Sequence, residues 1–188
     1  AEFLGTMVLA QSANPGHDMP FFIDPVIANM RAGNALFAAP ETAIIIAAIS
    51  QLGTEIYGLP SEAIGMASDG FTTEQAVFQK AQNMLMQVLA GGKLIIGAGG
   101  VESTMAVSPV QLVIDDELIQ IARRLLRGMK VNKDTLAVEV INRVGPRGHF
   151  MLDDHTLEYL HTGELMDTYF IERCRRDVWE LAGSKAME

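Results

Sequence analysis

Carboxylates, amides and glycines that can do chemistry gather in three short stretches. The first holds Asp24, Asn29, Arg31 and Asn34, and the second holds Ser68 and Asp69. The third holds Gly97, Gly99 and Gly100, followed by Glu102 and Ser103. Asp24 and Asp69 can hold a cation, polarise a substrate or act as a base. Aspartates also cap loops and form turns, so both roles stay open. Arg31 can clamp a carboxylate or phosphate, or make a surface ion pair; Glu102 stands between the same kinds of role. Gly97-Ala98-Gly99-Gly100 suits a tight turn with amides facing a pocket, since glycine takes positive φ freely. It does not suit a dinucleotide, because the GxGxxG spacing is absent and the next helix signal comes only at Ser108.

Other reactive side chains read differently. His17, His149, His155 and His161 show no zinc-ligand spacing with a carboxylate on one helix face, so no metal site is expected. His149, in Gly-His-Phe, is placed to fold over a pocket, whereas His155 and His161 are expected to face solvent. Cys174 lines up with Phe170, Val178 and Leu181 and reads as a packed thiol. Asp115-Asp116-Glu117 lies in the first turns of a helix, complements its dipole and reads as structural. The methionines read as core filler on helix stripes.

The elements that must position these residues follow from pattern. A helix opens the chain on Phe3, Met7 and Ala10, uncapped and already under way at residue 1, which suggests a chain cut from something longer. Apolar runs at residues 19–23, 63–67 and 94–96 read as strands. Pro40 starts a helix carrying Ile45, Ile49, Leu52 and Ile56 to a C-cap at Gly58. Thr72 with Gln75, and Ser108 with Gln111, read as capping boxes. The first opens a helix carrying Val77, Ala81, Met84, Leu85 and Val88. The second opens one carrying Ile114, Leu118, Ile121 and Leu125 to Gly128. Strand–loop–helix alternation at this spacing predicts parallel strands with right-handed crossovers. Helices without strands follow at residues 134–144, 153–160 and 169–181. The expected division is βα units over residues 1–128 and a helical extension over 129–188. In α/β folds ligands bind at the carboxyl ends of the strands, which is where the three reactive loops fall.

Composition excludes several classes. A net charge of −9 leaves no general basic face for nucleic acid or anionic membranes. The longest apolar run, residues 43–49, is too short to span a bilayer. A lone cysteine excludes an intramolecular disulfide framework and suits a reducing cytoplasm. Hydrophobic residues are 49% of the chain and mean hydropathy is +0.20, which calls for a sheet buried on both faces or an association surface, and hence a homo-oligomer.

Three segments go further. They are Arg31-Ala-Gly-Asn-Ala-Leu-Phe-Ala-Ala-Pro-Glu-Thr42; Gly97-Ala-Gly-Gly-Val-Glu-Ser103 running on to Gln111-Leu-Val-Ile-Asp-Asp-Glu117; and Val144-Gly-Pro-Arg-Gly-His-Phe150 with Asp154-His-Thr-Leu157. Together they resemble the C-terminal region of the trimethylamine methyltransferase family, which includes glycine betaine methyltransferases without pyrrolysine. The resemblance covers roughly residues 1–175. It implies the last three or so βα units of a (βα)8 TIM barrel, followed by trailing helices. It further implies methyl transfer from a methylated, quaternary amine to the cobalt of a corrinoid (cobalamin) carried by a separate partner protein, with no cofactor held by this chain. On that reading Asp69 and Glu102 are catalytic. Asp24, Asn29, Arg31, Asn34, Ser68, Gly99, Gly100, Ser103 and His149 contact the small methylated amine. No pyrrolysine occurs in these residues, so if its position falls among them the protein goes with the non-pyrrolysine members. Ser68-Asp69-Gly70 departs from the pattern of characterised members, which leaves the amine open.

Two other readings remain at this level. One is a barrel lyase or aldolase using Asp24 or Asp69 as base; the other is a subunit-interaction module without activity. With about half of a barrel pocket outside these 188 residues, the chain alone is expected to be inactive; turnover by it in a methyl-transfer assay would overturn that expectation.

Overall fold

The computed structural model describes residues 1–171, 173–181 and 183. Two compact units divide the chain, Ala1–Ala122 and Arg123–Glu188. In order, the chain runs α1 (Glu2–Ala13), β1 (Phe21–Phe22), β2 (Ile27–Asn29), β3 (Asn34–Leu36), α2 (Pro40–Gln51), β4 (Ser61–Ala63), α3 (Glu74–Leu89), β5 (Leu94–Ile95), β6 (Gly100–Val101), β7 (Ala106–Val107) and α4 (Pro109–Arg127). Then come α5 (Lys133–Leu136), α6 (Val138–Val144), α7 (Asp154–Leu160) and α8 (Arg176–Leu181). Among the described residues no helix is long and apolar enough to cross a membrane.

The three expected strands form one parallel sheet in the order β1–β4–β5, so the mixed α/β reading holds. Each strand is shorter than its apolar run. The run at 63–67 leaves the sheet after Ala63 because the Gly65 and Ala67 N–H groups turn back to Ala63 O and Ile64 O. Two antiparallel hairpins, β2–β3 and β6–β7, occupy what read as plain loops. Three-residue and two-residue strands are too short to show alternation, so no periodic signal announces them.

Pleating makes the sheet two-sided. Phe21, Ser61 and Ala63 point to one face and are buried, with Ile95 packed on the adjoining core. Phe22, Glu62 and Leu94, in register across the other face, stay partly open; Phe22 is 45% and Leu94 43% exposed.

Helix α2 packs closest to the strands at Gly53, where a Cβ would lie 2.8 Å from Ser61 Cβ and 2.9 Å from Phe21 Cδ1. A wider π-type turn at Leu52–Ile56 ends this helix, with Tyr57 N–H reaching Leu52 O. Tyr57 then stacks on Phe21 with ring centroids 5.1 Å apart, and Phe3 of α1 meets Phe21 edge-on at 4.4 Å. Gly58 follows with φ +64, as its placement at the helix end requires. The buried face of α2 is Thr42, Ala43, Ile46, Ile49 and Ser50; of the expected stripe Ile49 is buried, while Ile45, Leu52 and Ile56 are exposed. Ile56 is 72% exposed, because the π turn rotates the last residues away from the preceding stripe.

Helices α3 and α4 supply the apolar core with Met66: Met84, Val88, Leu118 and Ala122 are buried together, and Val77, Ala81 and Leu85 pack against them. Met30, Met86, Met105, Met129 and Met151 do not follow and are exposed. Neither capping box forms as expected. The N-cap of α3 is Thr73, without a side-chain cap bond. Ser108 Oγ does accept from Gln111 N–H at 3.2 Å, but the Gln111 amide turns inward to Asp115.

The second unit is held by polar contacts, and none of α5 to α8 buries a described residue. Ala137, with φ +49, splits the expected single helix at 134–144 into two. Asn132 and Thr135 form a reciprocal capping box there, which sequence reading missed. Arg143 pairs with Asp153 at 2.6 Å, and Asp153 caps α7 by accepting from His155 N–H. His155 is half-buried, stacked on Tyr159 and bonded through Nε2 to Asp134 O, contrary to its expected solvent-facing place. His161 is exposed as expected. Cys174 is exposed and lies before α8, so the packed-thiol expectation fails.

Gly97 tests how tightly the β5 loop is built. Its φ is +96, and a Cβ there would lie 3.1 Å from both Ile64 Cγ1 and the Met66 carbonyl carbon. Gly128 has φ +65 with open space around it. Gly97→Ala should cost about 2–3 kcal/mol of unfolding free energy and Gly128→Ala about 1 kcal/mol, read by denaturant titration. Equal losses would show that backbone crowding at Gly97 does not matter.

Candidate active site at the strand ends

All three strands of the sheet run the same way, so the loops after β1, β4 and β5 leave from one edge. Their side chains bond mainly to one another's backbones. Asp24, after β1, accepts from Ile64 N–H at 2.9 Å and so ties the first loop to the second. Burial pushes the Asp24 carboxyl above its usual range, and the Ile64 hydrogen bond partly opposes this.

Asp69, after β4, is the most connected of the expected residues. Its Oδ1 accepts from Phe37 N–H at 2.8 Å and from Ser103 Oγ at 2.9 Å, and its Oδ2 accepts from Ala38 N–H at 3.0 Å. One carboxylate therefore joins the segment before α2, its own loop and the β6–β7 hairpin. Ser68 is buried, and its hydroxyl bridges Gly70 and Gln79. Gln79 Oε1 also accepts from Asp69 N–H at 3.0 Å.

The turn between β6 and β7 is strained. Glu102, Ser103 and Thr104 have φ values of +52, +52 and +68. Each left-handed non-glycine residue costs roughly 1 kcal/mol, so such a run persists only where its surroundings dictate it. Here Glu102 N–H donates to Gly70 O at 3.0 Å and Ser103 N–H to Ser68 O at 2.7 Å, beside the Ser103–Asp69 bond. Behind the turn, Gly99 N–H donates to Asp115 Oδ2 at 2.7 Å, and Gly100 N–H to Gly97 O at 3.0 Å. The structure thus brings Ser68, Asp69, Gly99, Gly100, Glu102 and Ser103 into one connected assembly.

The other expected residues lie elsewhere. Asn29 Oδ1 accepts from the Arg31 and Ala32 N–H groups, a turn-forming role. Arg31 and Asn34 are exposed at the same hairpin end. His149 is exposed in the loop between α6 and α7 of the second unit. Asp115 is not a surface charge complementing the helix dipole: it is fully buried and bonded to Lys80, Gly99 and Gln111, because α4 turns this position toward the β5 loop.

Sequence reading missed the residues of α3 that hold these loops. Lys80, Asn83 and Gln87 are all fully buried. Lys80 reaches Asp115 and Gly97 O, Asn83 donates to Phe37 O, and Gln87 donates to Leu94 O. The available signal is their spacing at i, i+3 and i+7, which places three polar side chains on one helix face beside Ala76 and Met84. Glu62 was also missed. It lies in mid-sheet on the partly open face, and with Phe3, Met19, Phe22, Ile23 and Asp24 it lines an open cavity of about 810 Å³. Aromatic rings and three carboxylates, those of Glu2, Asp24 and Glu62, give that cavity a preference for cations.

Asp24 offers a test of the electrostatics. An aspartate with a raised folded-state value loses stability as pH rises through the ordinary carboxylate range near 3.8, and the loss is complete above the folded-state value. Asp24→Asn keeps the acceptor for Ile64 without the charge. It should raise the thermal midpoint at neutral pH, with the gain fading on acidification below that range. A gain that grows on acidification would contradict this account.

Comparison with known proteins agrees with the segments quoted above. A family model described as trimethylamine methyltransferase matches residues 1–188. A trimethylamine methyltransferase of Methanosarcina mazei is 34% identical over 186 residues, covering 98% of this chain and 37% of that protein. A second one from M. mazei is 35% identical over 189 residues, with the same coverage. Glycine betaine methyltransferase of Desulfitobacterium hafniense is 31% identical over 181 residues, covering 95% of this chain and 37% of its own length. The chain spans well under half the length of these relatives, and it belongs to the trimethylamine methyltransferase family.

Proposed function

We propose that the protein containing this chain moves a methyl group from a methylated amine to the cobalt of a corrinoid carried by a partner protein. The match of the entire chain to the trimethylamine methyltransferase family carries this reading. Relatives named for trimethylamine and for glycine betaine support a substrate with a methylated nitrogen and leave its remaining substituent open. On this reading the three parallel strands are part of a (βα)8 barrel. Helices covering one sheet face, and the partly open Phe22–Glu62–Leu94 face, are what a barrel segment presents before its other strands are added.

The corrinoid supplies the nucleophile, and the amine leaves with the electron pair of its broken C–N bond. A quaternary ammonium needs no proton to leave, so this chain's task is to bind a cation and aim one N-methyl group. Asp24 and Glu62 balance the positive charge, while Phe22 and Phe3 offer ring faces to the methyl groups. The same reading assigns Glu102, carried on the strained turn, a role toward that cation. Asp69 acts as a positioning residue, since its carboxylate is engaged by three donors of its own fold.

The test is methyl transfer by the full-length protein from a panel of methylated amines to reduced corrinoid, followed by its absorbance change. Transfer from at least one quaternary amine is expected, with Glu62→Gln raising KM about tenfold by removing one charge contact. A folded protein inactive across the panel would refute the reading.

A further inference from the structure

Beneath the glycine turn lies an ion pair that the proposed chemistry has not used. Lys80 Nζ donates to Asp115 Oδ2 at 2.6 Å, and both side chains are fully buried. The same ammonium lies 3.4 Å from Gly97 O, and the same carboxylate oxygen accepts from Gly99 N–H at 2.7 Å. Gln111 Nε2 occupies the other carboxylate oxygen at 2.7 Å. Ser108 N–H, on the far side, donates to Gly99 O at 2.9 Å. Burial pushes the Lys80 ammonium below its usual range, and the hydrogen bond and charge of Asp115 oppose this.

A buried pair of this kind is a weak source of stability, because desolvation offsets the attraction. Apolar residues of similar volume often serve as well or better. What apolar residues cannot do is grip backbone atoms at both ends of one turn. Residue 102 begins the left-handed run only two positions beyond Gly100, and the Asp69–Ser103 bond holds that run from its other side.

We propose that Lys80 and Asp115 are positioning residues that hold the turn at residues 97–100 and, through it, the strained run at 102–104 that carries Glu102. The proposal rests on the methyltransferase reading for its substrate, but its structural half can be read without turnover.

The experiment compares two variants in the full-length protein. Lys80→Met with Asp115→Leu removes the pair and keeps charge balanced. Asp115→Asn keeps acceptors for Lys80 and Gly99, and its amide can donate to Gln111 Oε1, a buried atom now without a partner. The double variant should still fold and melt cooperatively, since it leaves no unpaired buried charge. Its kcat should fall at least tenfold with a smaller change in KM, and hydrogen exchange at Gly99, Glu102 and Ser103 should speed up at least tenfold. Asp115→Asn keeps the acceptor for Gly99 but leaves the buried ammonium without its counter-charge, so it should melt below the unmodified protein while Gly99 exchange stays slower than in the double variant. Unchanged kcat and exchange in the double variant would overturn the proposal. So would its failure to fold, or Gly99 exchange in Asp115→Asn as fast as in the double variant. If the unmodified protein transfers no methyl group, the functional reading fails, and exchange at the three amides still decides the role of the pair.

Discussion

An ammonium sealed from water must find partners, and in this protein that requirement organises the loops around the site. Lys80 projects from α3 into the interior and meets Asp115 of α4 and the carbonyl of Gly97. Because Asp115 also takes the Gly99 amide, satisfying the charge dictates the path of the β5 loop. The same logic runs along α3. Gln79 holds Ser68 and Asp69, Asn83 holds Phe37, and Gln87 holds Leu94. Apart from the Lys80–Asp115 pair, these α3 side chains bond to loop groups or, for Gln87, to the strand β5 backbone. Rigid helical spacing is thereby transferred to segments that have no regular structure of their own.

The sheet divides the labour between stability and chemistry. Its helix-facing side carries Phe21, Ser61 and Ala63, and close approach there depends on Gly53 in the π-type turn that follows α2. Its other side carries Phe22, Glu62 and Leu94, a pattern with a charge where a simple core would place an aliphatic side chain. A carboxylate in mid-strand on an otherwise apolar face is costly to bury unless a cation or donor meets it. This makes the open face more than an unfinished core.

Much of the frame was legible in the residues. Parallel strands separated by helices follow from apolar runs and from Pro40 and Gly58, and the glycine turn was found from its composition. Asp69, Glu102 and Ser103 fell on loops that do meet. The failures have identifiable causes. The β2–β3 and β6–β7 hairpins are too short for a period, so Asn29 looked like a ligand contact when it shapes a turn. Asp115 reads as part of an acidic run near the start of a helix, but α4 begins at Pro109 and has no acidic residue in its first turn, so the helix-dipole account does not hold. Lys80 is ordinary on a helix, and only its partner 35 positions away makes its burial tolerable. The expectation for Cys174 failed because helical spacing was carried back past Arg176, where α8 begins, and that for His155 failed because its ring meets Asp134 O and Tyr159.

Strain and positioning belong together in the reaction proposed. Breaking the C–N bond of a quaternary ammonium asks little of an acid or base. The rate then depends on the angle and distance at which the methyl carbon is offered, and small displacements are costly. A run of three left-handed residues is a poor choice for flexibility and a good one for holding a carboxylate at one angle, provided that both flanks are pinned. Both flanks are pinned here, by Asp69 with Ser103 on one side and by Asp115 with Gly99 on the other. Asp69, which invites assignment as a base, therefore does more for this chemistry, together with Asp115, by accepting hydrogen bonds from its own fold.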